Sequence, residues 1–258
     1  MASTQEHVTS YFSGREGART YAFSSIWGNE LHAVFADVAP YYDVASNVAS
    51  LGLCKTWRQR FVSAVDLRPG DEVLDLCAGT NAVGIGLLRR QPLARVQALD
   101  RSKAMQEVGR QIGRAQGVEI KSVIGDAHHL PFPDQSFDVV TLQWASRHLR
   151  VVEVFSEVMR VLKPGGHFYH CDMLRPESRI VGALYSAYLK ACLSATALIF
   201  HSGPEAWSCR DYFVRAIEIF YSSREITELL EHVGFSQVAS RDAAGGIMAV
   251  HRARKSGL

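Results

Sequence analysis

A chain of 258 residues with 47% hydrophobic residues is long enough to bury one sizeable core, and one large domain with an appendage is the expected organisation. A net charge of +2 with 21% charged residues leaves no basic stripe or acidic tail, so a nucleic-acid partner is not expected, and Arg252, Arg254 and Lys255 read as a solvated end. The cysteines Cys54, Cys77, Cys171, Cys192 and Cys209 are odd in number and contain no CxxC pair, which argues against a disulfide framework and a zinc site and points to a cytoplasmic protein.

The opening MASTQEHVTSYF lacks a basic region followed by an apolar one and does not read as a secretory signal. Residues 1–32 are weakly periodic and broken by Gly14, Gly17 and Gly28, so an N-terminal arm with partial helix is expected, followed by the principal domain over 33–258. From Ala33 the spacing becomes helical on both sides of Pro40. After the turn Arg68-Pro69-Gly70 the pattern alternates: a strand over 72–77, a helix over 82–90, a strand over 94–100, a helix over 103–115 capped by Ser102, and a strand over 119–124. Pro131 and Pro133 mark a loop before a strand over 137–143. The amphipathic VVEVFSEVMRVL is a helix stopped by Lys163-Pro164-Gly165-Gly166, and a strand follows over His167–Asp172.

An insertion over about 175–220 breaks this rhythm. Its apolar run Ile180–Phe200 is interrupted by Lys190, which disfavours a bilayer span and predicts a largely buried helix, part of a lid over an apolar substrate with Tyr185, Tyr188 and Ser194 as its polar groups. Ser222 and Glu225 form a capping box for SREITELLEHV, which Gly234 ends. Strands over 235–241 and 246–252, separated by Ala244-Gly245, predict an antiparallel edge hairpin. The expected fold is α/β: a doubly wound, mostly parallel seven-stranded sheet with N-terminal helices and a helical lid insertion.

Within this pattern, Asp71–Gly86 (DEVLDLCAGTNAVGIG) is a buried strand running into a turn of small residues that opens a helix. Free backbone N–H groups at that helix start would face a polar ligand, and Ala78 and Gly79 allow it close to the backbone. Asp75 ends this strand and Asp100 the next, the spacing of a nucleoside-binding βαβ unit; Asp126 and Gln143 follow near later strand ends. The absent GxGxxG fingerprint disfavours a dinucleotide. His128 and His129 are adjacent without further ligands at fixed spacing, so no metal site is expected.

Over about 34–254 the sequence resembles class I S-adenosylmethionine (SAM) methyltransferases, and more narrowly the UbiE/Coq5 group that methylates a ring carbon of ubiquinone and menaquinone precursors. The resemblance rests on FADVAPYYDVASNVASLGLCKTWRQRF, VLDLCAGT, ALDRS, GDAHHLPFPDQSFDVVTLQWASRHL, EVMRVLKPGG and GGIMAVHRA. It implies SAM as cofactor, Thr80 in the binding loop, Asp100 on the ribose hydroxyls, Asp126 and Ala127 beside the adenine and Gln143 near the cofactor, with Asp75, Cys77, Ala78, Gly79 and Arg101 completing that set. It departs from the group where GGTGD becomes Ala78-Gly79-Thr80-Asn81 and where an Arg-Asn pair becomes Arg147-His148. Methylating a phenolic ring carbon requires a phenolate-like ring and loss of a ring proton, which gives Arg147 the role of stabilising charge and His148 that of acid/base. Tyr41, Tyr42, Trp144, Tyr185 and Tyr188 are candidates to frame a hydrophobic small-molecule acceptor, most simply a prenylated quinol, with peripheral membrane contact and a homo-oligomer as further expectations. A lipid amine, a secondary-metabolite hydroxyl, or SAM binding without methyl transfer are the alternatives that the residues leave open.

Overall fold

The sheet is built from strands that are apolar along nearly their whole length, as expected where helices cover both faces. The structure, a computed structural model, describes residues 2–50, 52–199 and 210–257. Strands β1 (Glu72–Leu76), β2 (Arg95–Asp100), β3 (Lys121–Ile124), β4 (Phe137–Gln143), β5 (Leu162–Met173), β6 (Phe235–Ala243) and β7 (Met248–Lys255) pair in the order β3-β2-β1-β4-β5-β7-β6. β1 to β5 run parallel, and β7 is antiparallel to both neighbours, so the predicted hairpin exists but its second strand lies inside the sheet beside β5. β1 pairs with β2 on one side and β4 on the other, so the strand order reverses there and opens a crevice at the carboxyl ends.

Alternate side chains of β1 supply opposite faces. Val73 joins a core with Phe61 and Val62 of α4 (Leu53–Ala64) and with Val83, Ile85 and Leu87 of α5 (Ala82–Arg90). Leu74 and Leu76 join the other core, with Phe155 and Val158 of α7 (Val151–Val161) and with Leu229 and Leu230 of α10 (Ser223–Val233). Between β2 and β3 runs α6 (Lys103–Ala115), where Ser102 caps the first turn by accepting from the Met105 N–H. The Ser222–Glu225 capping box is present at α10, and Gly234 ends that helix at φ 111°.

Two elements differ from the sequence reading. Residues 2–25 form one continuous helix, α1 (Ala2–Ser25), despite Gly14 and Gly17, because burial of one face offsets the helix propensity lost at the glycines. Phe12, Arg19 and Phe23 fall on one side and are buried, Phe12 in the core shared with α10. After α1 the chain continues through a π-helical turn (Ile26–Glu30), α2 (Leu31–Val38), a 3₁₀ turn and α3 (Tyr42–Ala49). The second difference is α8 (Arg179–Ile199), which is not a largely buried helix: Ile180, Leu184, Leu198 and Ile199 are exposed and only Ala197 is buried. Its inner face packs on α3 and α9 (Arg210–Glu218) and borders a cavity, so its apolar residues have no core to enter. Residue 200, which ends the predicted apolar run, and residues 201–209 of the insertion lie outside the described residues.

Candidate active site

At the carboxyl end of β1 the chain turns sharply. Cys77 (φ 53°), Gly79 (φ 52°) and Asn81 (φ 61°) are all left-handed, a conformation that costs about 1–3 kcal/mol at each non-glycine residue and needs the surroundings to enforce it. The enforcement comes from both sides. Gln106 of α6 donates to the Gly79 carbonyl (2.9 Å) and to the Asn81 side chain (2.8 Å). Asp75 accepts from the Gly84 N–H and from the Thr141 hydroxyl, each at 2.9 Å. Burial pushes the Asp75 carboxyl up to about 7, against those two hydrogen bonds, and both its oxygens serve the fold.

Asp100 ends β2 with one oxygen accepting the Gly79 N–H (2.8 Å) and the other the Ser102 N–H (2.7 Å). Burial raises its pKa while these N–H groups lower it, and each oxygen keeps a lone pair for a ligand hydroxyl. Asp126 accepts from the His128 backbone and from its ring Nδ1 (2.6 Å), bonds that hold the carboxyl low against its partial burial. His128 Nε2 accepts from the Arg150 N–H, so the ring proton lies on Nδ1, and the ring is fully engaged. Thr80 donates to Asp43 (2.6 Å), which also pairs with Arg58 (2.8 Å), so α3 and α4 are tied to the loop.

Asp75, Gly79, Thr80, Asp100, Asp126 and His128 border a cavity of about 220 Å³, the more polar of two at this end of the sheet. A second cavity of about 630 Å³, overwhelmingly apolar, lies between α3, α4 and α8. Phe35, Tyr42 and Trp144 border both, and Trp144 presents its ring from a left-handed backbone (φ 60°). Two guanidinium groups border the apolar side, Arg210 and the buried Arg147, and Arg147 donates to the Trp144 carbonyl (2.9 Å) and forms an ion pair with buried Asp172. Burial works against the Arg147 charge, and Asp172 more than offsets it. On the polar side, His148 shares its Nδ1 with the Tyr212 hydroxyl (2.6 Å) while burial, with Arg147 and Arg19 nearby, drives its pKa well down; it is a neutral imidazole at pH 7. Gln143 Nε2, Trp144 Nε1 and His148 Nε2 are buried around the polar cavity without hydrogen-bond partners, the unsatisfied state that a polar ligand relieves.

A polar cleft at the strand-order reversal beside an apolar cavity is the layout of a two-substrate transfer site, and the sequence comparison decides which. The profile of the ubiE/COQ5 methyltransferase family matches residues 25–255. The chain belongs to the ubiE/COQ5 methyltransferase family. This methyltransferase is 35% identical over 234 residues to the demethylmenaquinone methyltransferase of Paenarthrobacter aurescens (88% of this chain, 87% of that protein). It is 34% identical over 229 residues to that of Streptomyces avermitilis (88% and 95%). Among solved structures, its fold is similar to a SAM-dependent methyltransferase from Aquifex aeolicus (TM-score 0.55, 18% identity, 77% of this chain and 89% of that one). A second is a putative O-methyltransferase from Nostoc punctiforme (TM-score 0.62, 17% identity, 86% and 60%).

SAM is the cofactor of this methyltransferase, and the unpartnered N–H groups of Gln143 and Trp144, the Asp100 carboxylate at the end of β2 and the open backbone at Gly79 fit its amino-acid and ribose groups. All ten residues expected at the cofactor, Asp75, Cys77, Ala78, Gly79, Thr80, Asp100, Arg101, Asp126, Ala127 and Gln143, border the polar cavity. Tyr41, Tyr42, Trp144, Tyr185 and Tyr188 all border the apolar one. Arg147 and His148, adjacent in sequence, face different cavities. Sequence reading missed Trp27, His32 and Phe35, which close the polar cavity from the N-terminal segment, and Arg58 with Asp43. Arg19 was also hidden: from α1 it donates to the carbonyls of Arg147 (3.0 Å) and Leu149 (3.1 Å), fixing the loop that carries Arg147 and His148.

Proposed function

We propose that this methyltransferase transfers the methyl group of SAM to a ring carbon of a prenylated quinol, the acceptor class named for its bacterial relatives. The observation that carries the reading is the pair of cavities sharing Phe35, Tyr42 and Trp144, one lined by the strand-end carboxylates and one almost wholly apolar with the buried Arg147 guanidinium at its wall. A sulfonium supplies an already activated methyl group, so the protein's main contribution is alignment, and the rings of Tyr42 and Trp144 at the junction set the approach. Arg147 stabilises negative charge on the quinol oxygen, which makes the ring carbon nucleophilic. In the tautomer whose Nδ1–H is donated to Tyr212, the neutral His148 turns an Nε2 lone pair to the cavity, and in our reading this lone pair takes up the ring proton.

Ile180, Leu184, Leu198 and Ile199 on α8 and Leu53 on α4 are exposed on the elements that border the apolar cavity, which supports peripheral contact with the membrane where such an acceptor resides. The deciding experiment is incubation of the purified protein with methyl-labelled SAM and a reduced demethylmenaquinone. A product heavier by one methyl group, with the label on a ring carbon, supports the reading. Label transfer to a phospholipid amine in a lipid extract, with the quinol unmodified, would replace it.

A further inference from the structure

The sheet order β3-β2-β1-β4 divides the residues around the cofactor cavity into two groups, one on either side of β1. On the β2 side stand Asp100 and, after β3, Asp126 with His128. Among the described residues three arginines border this cavity, and two of them belong to that group. Arg101 follows Asp100 and donates to the Trp27 carbonyl (3.3 Å). Arg150 gives its N–H to His128 Nε2, and its guanidinium holds Glu153 through two bonds of 2.7 Å. On the β4 side stand Gln143 and Trp144. The third arginine, Arg58 of α4, is with them, its guanidinium carbon 5.6 Å from the centre of the Trp144 ring.

The Arg58 guanidinium is only partly used. Among the described residues its hydrogen-bond partners are Asp43 (2.8 Å) and, at 4.0 Å, the Cys54 sulfur, and both contacts run through Nη2. Nε and Nη1, which carry three of the five N–H groups, have no partner and are not sealed from solvent. Asp75 also feels the Arg58 charge, but its oxygens are held by Gly84 and Thr141. Asp43 accepts the Thr80 hydroxyl with its other oxygen (2.6 Å). Thr80 thereby commits its one hydrogen, so toward the cavity its oxygen can accept and cannot donate.

We propose that Arg58 binds the carboxylate of the SAM amino acid, that Asp43 is the positioning residue that holds the guanidinium for it, and that this contact selects SAM over adenine nucleosides without an amino acid. The inference rests on SAM as the cofactor and is independent of the acceptor. Asp75, Asp100 and Asp126 already border the cavity, so a further carboxylate enters favourably only opposite a cation. Arg101 and Arg150 belong to the group where the resemblance places ribose and adenine, so Arg58 is the guanidinium left for the amino acid. The sulfonium carries the ribose, the methyl group and the amino-acid chain on one sulfur. With its methyl group directed at the wall shared by the two cavities, Phe35, Tyr42 and Trp144, the chain on the same sulfur is brought beside Trp144 and Arg58. Asp43 takes a single N–H of the guanidinium, which leaves donors for a second carboxylate. Thr80, an acceptor toward the cavity, suits the ammonium of the same amino acid.

The test is calorimetry of the full chain with adenosine ligands and no acceptor. Arg58→Met is similar in length and uncharged. It is expected to weaken S-adenosylhomocysteine by about tenfold to a hundredfold, the range for a hydrogen bond to a charged group, and to leave 5′-methylthioadenosine, which carries no amino acid, within about twofold. Should Arg58 serve only to pack Trp144, both ligands weaken alike, and that result overturns the proposal, as does unchanged binding of both. Asp43→Asn is expected to lower the ratio of the two affinities in the wild-type background and to lower it less in the Arg58→Met background. A fall of the same size in both backgrounds overturns the positioning role. A measurement on the wild type stands even where a variant does not fold: decarboxylated SAM, which keeps the sulfonium and the amine, is expected to bind about tenfold more weakly than SAM, and equal affinity overturns the proposal. Because no acceptor enters, failure of the quinol reading leaves each of these results unchanged.

Discussion

Gly109 sits where α6 crosses the cofactor loop, and its replacement measures how tightly that loop is held. A Cβ at this position would lie 2.7 Å from Asn81 Nδ2, 2.8 Å from the Thr80 carbonyl carbon and 2.9 Å from Asn81 Cγ. Relief to an ordinary contact needs a displacement of about 0.6 Å, and the Thr80 contact is backbone, which no rotamer change can move aside. Moving α6 outward by that amount would stretch the Gln106 bond to Gly79 from 2.9 Å to about 3.5 Å, the edge of hydrogen-bonding distance, and weaken its bond to Asn81 as well. Overpacking at about 1–3 kcal/mol plus two weakened bonds of about 0.5 kcal/mol each places the destabilisation of Gly109→Ala at about 2–4 kcal/mol. For a chain of this size the melting temperature should drop on the order of 10 °C. The same displacement alters the Gly79 and Thr80 backbone, so SAM affinity measured by calorimetry should weaken about tenfold in the protein that remains folded. A variant with the wild-type melting temperature and wild-type SAM affinity would refute the claim that α6 holds the loop in place.

Asp100→Ala should weaken SAM binding by about 1.5–3 kcal/mol, the loss of charge-assisted hydrogen bonds, and calorimetry showing unchanged affinity would remove Asp100 from the cofactor site. Leu184→Gln, on the exposed outer part of α8, should leave the melting temperature within about 2 °C while raising the KM of a long-tailed quinol several-fold; a large loss of stability would make α8 a packing element instead. His251 is buried and neutral with its pKa depressed to about 4, so the unfolded chain binds the extra proton first as pH falls. Stability should therefore be complete above about pH 6.5 and decline towards pH 4 by about 3 kcal/mol, a slope that urea melts should find reduced in His251→Phe.

The doubly wound half was legible because its signals are local. β1, α5, β2 and α6 fall within one residue of the expected spans, since alternation of apolar runs with Ser102, Gly79 and Asn81 marks each boundary. β1 ends at Leu76, and Cys77, expected to extend it, turns instead into the left-handed loop. The strand expected over 167–172 starts at Leu162, because Lys163-Pro164-Gly165-Gly166 stops α7 without breaking the extended chain. What escaped depends on partners distant in sequence. Arg19 looks like any surface arginine until the carbonyls of Arg147 and Leu149 are brought to it, and Asp43 acquires meaning only through Thr80. Composition misplaced α8, because an apolar run has the same spelling whether it meets a core or the rim of a cavity. The pairing of His170 with His251 is equally invisible in one dimension: it exists only through the register of β5 with β7.

That register also bears on how the chain comes to be assembled during translation. β7 occupies an interior position between β5 and β6 although it is encoded after every other strand. Before residues 248–255 leave the ribosome, β5 has an unpaired border, and α1, made first, waits for α10, against which Phe12 packs near Tyr221 and His232. Phe12 of α1 and Ala249 and Ala253 of β7, far apart in sequence, thus enter the same core. Contacts of such wide sequence separation form slowly and leave sticky surfaces uncovered in the meantime. Nascent chains stalled short of residue 248 should therefore engage chaperones, and release should coincide with docking of the last strand.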